Sequence, residues 1–84
     1  MNSQDSLFNR NAREWARRVT GGASMYDISH RAGIPGSTVN KRFATDRFTV
    51  EDVLRIARAY GENPVDALVD TGFLTPDERR GSTR

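Results

Sequence analysis

Ser37, Thr38, Asn40 and Lys41 fall within five residues of one another, interleaved with Val39 and followed by Phe43. On a helix Val39 and Phe43 stand four apart and share the core-facing side, so the hydroxyls, the amide and the ammonium lie together on the outward face with Ala44. An exposed amide donates and accepts at once, an ammonium reaches clustered acceptors, and a hydroxyl does either. That is the chemistry of hydrogen-bonded recognition. For bond-breaking the chain offers little: it has no cysteine and one histidine, His30, and no metal cluster, phosphate-cradling glycine loop or Ser-His-acid set can be assembled. Asp27, Glu51 and Asp52 are accounted for by helix capping and solvation. The expectation is a protein that is not an enzyme and uses no cofactor or metal.

The elements that must hold those side chains are helical almost throughout. Eighty-four residues give room for one small domain and one core, which without cysteine must be held by packing alone. Phe8, Ala12, Trp15, Ala16 and Val19 recur at four- and three-residue steps, predicting an amphipathic first helix that starts near Asp5 or Ser6 and stops at Gly21 and Gly22. Ser24 caps a second, two-turn helix bearing Ile28 and Ala32 and closed by Gly33. Ile34, Pro35 and Gly36 make a tight connection, Pro35 sits at the entrance to a third helix reaching about Ala44, and Ser37 or a near neighbour is expected to cap it. Thr49 and Asp52 form the start of a fourth helix with Val50, Val53, Leu54, Ile56, Ala57 and Tyr60 on its apolar face. Asn63 and Pro64 open a fifth, bearing Val65, Leu68 and Val69. Residues 1–74 then form the domain and 75–84 a short, flexible tail.

Charge is distributed unevenly. The formal net charge is only +2, but residues 1–48 carry eight cationic side chains against four acidic ones, whereas 49–84 carry five against seven. A positive front and a mildly acidic back favour approach to a polyanion from one side. Twelve of the thirteen cations are arginine, whose planar fork suits phosphate and guanine edges. Short helices joined by a three- or four-residue turn headed by Gly33 must cross steeply, leaving the second of the pair protruding.

The stretch from Met25 to Phe43, with Ile28, the small Ser29, Gly33 in the turn, Ile34 after it and Val39 beyond, resembles the helix-turn-helix of Cro and phage-repressor proteins, the xenobiotic-response-element family. The likeness runs over about residues 7–70 and includes the Val-Leu-Arg-Ile-Ala-Arg-Ala-Tyr-Gly run downstream. It departs where Arg42 fills the last apolar position of the motif, with Phe43 following, and where Met25 stands in place of a frequent glutamine. The resemblance implies an all-α, compact five-helix, lambda-repressor-like DNA-binding domain with its motif at about 24–44. It also implies that the positions of Gly36, Ser37 and Lys41 touch base edges. From side-chain chemistry Ser37, Thr38, Asn40 and Lys41 are candidates for reading bases, and Gly36 can bring its backbone close. Ser24, Met25, Tyr26, Arg42 and Arg47 flank the third helix and are candidates for phosphate contacts.

The function so implied is a sequence-specific regulator of transcription, a phage-type repressor reading double-stranded DNA as a homodimer in the cytoplasm of a bacterial or phage-infected cell. Val65, Leu68, Val69, Phe73 and Leu74 either form the self-association surface or finish the monomer core. A different class of function also fits, an antitoxin-like module that grips a partner protein and binds DNA secondarily. Trp15, Phe8 and Phe43 read as core, His30 as a surface residue, and Arg13, Arg17 and Arg18 as a solvated face. A mean hydropathy of −0.69 and only short apolar runs point to a soluble, intracellular chain without a membrane span.

Overall fold

Caps and glycines divide the chain where the sequence expects, into α1 (Ser3–Thr20), α2 (Met25–Ala32), α3 (Gly36–Thr45), α4 (Val50–Ala59) and α5 (Pro64–Asp70). The computed structural model describes residues 3–75, with side chains from residue 12 onward; the tail at 76–84 and the Phe8 side chain lie outside the described residues. The fold is all-α, and among the described residues there is no strand. α4 packs on α1, α2 and α5, and α2 packs on α3.

The boundaries have local causes. Ser24 takes an extended backbone and its Oγ accepts from the Asp27 N–H at 3.1 Å, satisfying a donor the helix cannot. At the other end Gly33 adopts a left-handed conformation (φ +70) and both its N–H and that of Ile34 donate to the Ser29 carbonyl. The Ser29 hydroxyl closes the same turn by donating to the Ile34 carbonyl at 2.6 Å. This short, doubly tied turn sets the angle between α2 and α3. At α4 the expected box is complete: Thr49 Oγ1 accepts from the Asp52 N–H, and the Asp52 carboxylate accepts from the Thr49 N–H. Asn63 Oδ1 accepts from Val65 and Asp66, with Pro64 inside the first turn of α5.

Two expectations need correction. α1 begins at Ser3, two residues ahead of the expected start. Ser37 does not cap α3; Pro35 holds the N-cap position, with no side-chain hydrogen bond there, because the turn enters the helix two residues earlier than a cap at Ser37 would require.

The core gathers Ala12, Trp15 and Ala16 from α1, Ile28 and Ala32 from α2, Ile34 from the turn, Val39 and Phe43 from α3, Val53, Ile56 and Ala57 from α4 and Ala67 from α5. Phe48, from the α3–α4 connection, meets Phe43 edge-to-face with ring centroids 5.2 Å apart, a favourable quadrupolar arrangement. The connection is also fastened to α1. Asp46 sits in the left-handed region (φ 55) and its carboxylate accepts from the Arg13 backbone N–H at 3.2 Å. α3 is therefore anchored through Val39, Phe43 and the segment that follows it, leaving its other side outside the core.

Candidate nucleic-acid interface

Burying Val39 and Phe43 sends the rest of α3 outward as the four-residue spacing requires. Gly36, Ser37, Asn40, Lys41 and Ala44 are all exposed, and the side chains of Asn40 and Lys41 have no hydrogen-bond partner among the described residues. Thr38 departs from the expected row. It is half-buried and lines a hollow with Gly33, Pro35 and Arg55 on the α4 flank, since its helical position lies between the core side and the outward side. Gly36 and Asn40 instead border a cleft shared with Met25, Tyr26 and Ser29 of α2. The structure thus brings α3 and the first turn of α2 into one surface.

On that surface Ser24, Met25 and Tyr26 are exposed, as the expected phosphate contacts would require. The Ser24 oxygen accepts the capping bond, which leaves its hydroxyl hydrogen available to an anion. Tyr26 is 77% exposed, and its ring stacks on His30 with centroids 5.7 Å apart and 13° between planes. Arg47 is exposed just beyond α3.

Arg42 behaves differently from the expectation of a phosphate contact. Its Nε donates to Asp52 Oδ2 at 2.6 Å, and the two side chains are only 28% and 9% exposed. The same oxygen accepts the Thr49 N–H of the capping box. Arg42 occupies an inward-leaning helical position, one residue before Phe43, so its guanidinium meets the start of α4 before it meets solvent. It is a strut between α3 and α4 rather than a free cation.

A second strut was invisible to sequence spacing. Tyr60, at the end of α4, donates its hydroxyl to Asp27 Oδ2 at 2.8 Å, while Arg31 pairs with the same carboxylate and stands 5.7 Å over the Tyr60 ring. Tyr60's hydrogen bond, more than that of Arg31, holds the Asp27 carboxyl below its usual range. Burial, followed by the bond to Asp27 and that group's negative charge, pushes the Tyr60 phenol up to about 12. The Asp27–Arg31 pair is a four-residue helical spacing and legible in advance; Tyr60 lies 33 residues from Asp27 and only the fold brings it there.

No protein-family model, curated protein or solved structure matches this chain. Its site is therefore defined by its own geometry. The apolar residues near the C-terminal end divide between the two roles considered for them: Leu68 and Phe73 pack against the core, whereas Val65 is exposed and Val69 and Leu74 are half-buried. Among the described residues no group of three His, Asp or Glu side chains could hold a metal ion, and no helix is long and apolar enough to cross a membrane.

Proposed function

We propose that this chain is a sequence-specific, double-stranded-DNA-binding regulator of transcription, a repressor of the phage type, which reads the major groove with α3. The observation that carries the reading is the division of α3 itself: Val39 and Phe43 are sunk in the core while Ser37, Asn40 and Lys41 stand exposed on the other side. A ten-residue helix is about 15 Å long, and the B-DNA major groove is about 12 Å wide. Asn40 and Lys41 carry the donors and acceptors that distinguish base edges, Ser37 supplements them, and the backbone at Gly36 approaches closely. The Ser24 hydroxyl, the backbone N–H groups of Met25 and Tyr26 at the start of α2, and the Arg47 guanidinium face the phosphates on either side.

One such helix spans too few base pairs for genomic discrimination, so the regulator acts as a two-fold dimer with its helices about 34 Å apart. Val65 is the exposed apolar residue around which the pairing is built, bordered by Val69 and Leu74. Selection of duplexes from a random-sequence pool, followed by sizing of the bound complex, tests the reading. A palindromic preferred site, two chains per duplex, and an affinity that falls as salt rises are expected. An absence of salt-sensitive affinity for any duplex overturns it.

A further inference from the structure

Gly36 opens α3, yet nothing in its surroundings demands a glycine. Its φ is not in the positive range, and a Cβ placed there would meet only the Ser29 Oγ, at an ordinary 3.8 Å. A glycine in a helix is less favourable than alanine, so the missing side chain here leaves space without relieving strain. That space belongs to a cleft of about 220 Å³ between α2 and α3, lined by Met25, Tyr26 and Ser29 of α2 and by Gly36 and Asn40 of α3. The Tyr26 wall is braced by its stack on His30.

We propose that this cleft receives the 5-methyl group of a thymine, and that Gly36 is a specificity-determining position because it leaves room for it. The inference rests on the DNA-binding reading above and deepens it. In the major groove thymine alone presents a methyl group beside an acceptor oxygen, O4. The cleft offers the matching pair: a thioether and an aromatic ring for the methyl, and in the same lining the Asn40 amide, whose N–H donates to O4. Cytosine presents an amino donor and no methyl at the same place, and leaves the apolar walls uncovered.

The test uses the full chain and the duplex chosen from the random pool, with each thymine replaced in turn by deoxyuridine, which removes the methyl and nothing else. One thymine per half-site is expected to lose about fourfold in affinity on replacement, the worth of burying one methyl group. Gly36→Ala sets a methyl of its own against Ser29, on the α3 side of the cleft where the thymine methyl would enter, while favouring the helix, so it is expected to bind the thymine and deoxyuridine duplexes alike. Met25→Ala, which removes one wall and leaves the α3 backbone untouched, should shrink the difference below twofold. If the unaltered chain binds its selected duplex and no replacement shifts affinity as much as twofold, the cleft assignment is wrong and the regulator reading stands. Persistence of the fourfold difference in Gly36→Ala also overturns it. A chain that binds no duplex at all overturns both.

Discussion

Breaking the Arg42–Asp52 strut from its two ends should have unequal consequences. Asp52 is the more deeply set partner, 9% exposed against 28% for Arg42, and its Oδ2 serves both the guanidinium and the α4 cap. Arg42→Met keeps the packing stem but strands a nearly buried carboxylate with one fewer donor, at a cost of about 2–3 kcal/mol once partial exposure of the arginine is allowed for. For a domain of this size that lowers Tm by roughly 10–20 °C. Asp52→Asn keeps an amide oxygen for both hydrogen bonds and removes only the charge, while the guanidinium it leaves can turn toward water; about 1 kcal/mol is expected. In the double variant no stranded charge remains, so the combined loss should fall short of the sum by about 1 kcal/mol or more. Urea unfolding of the four proteins, followed by circular dichroism, measures the cycle. Equal single losses, or losses that simply add, would refute the view that the buried carboxylate is the costly partner.

Three further outcomes follow from the geometry. Gly33→Val forces a β-branched residue into a left-handed position (φ +70) and should lower stability by about 1–2 kcal/mol and weaken DNA binding; unchanged melting and affinity contradict the role given to the turn. Asn40→Ala and Lys41→Ala should leave Tm within about 2 °C, because both side chains are exposed, yet each should cost about 1–3 kcal/mol on the preferred duplex, measured by titration at fixed salt. The Tyr60 phenol is harder to ionise in the folded chain, at about 12, than its ordinary 10.0. Its contribution is therefore complete below pH 10 and lost as pH climbs towards 12; the difference in urea stability between the unaltered chain and Tyr60→Phe should narrow across that window, and a constant difference disproves the assignment.

What sequence reasoning reaches here is whatever repeats at helical spacing or caps a helix. Trp15, Ala16, Val39 and Phe43 lie buried as their three- and four-residue steps imply, and Ser24, Thr49 and Asn63 cap as their side-chain oxygens allow. The outward row of α3 was legible for the same reason, as the complement of Val39 and Phe43. The misses are of another kind. Arg42 looked like a free cation because its partner is ten residues away across a turn, and Tyr60 looked merely apolar because its hydroxyl meets Asp27 only after α2 and α4 have packed. Thr38 shows the limit within a single helix: a position at the edge of a face goes to whichever neighbour lies beside it, here the hollow against α4.

Trp15 is the chain's one tryptophan and is 1% exposed, lodged in the core on α1. Its indole is sheltered from water while the fold persists, and its emission shifts to longer wavelength when the core opens. Docking at the exposed side of α3, as proposed, is expected to leave that surrounding intact, because Trp15 lies within the core. A single optical label supplied by the chain itself thus separates variants that melt from variants that merely release their duplex.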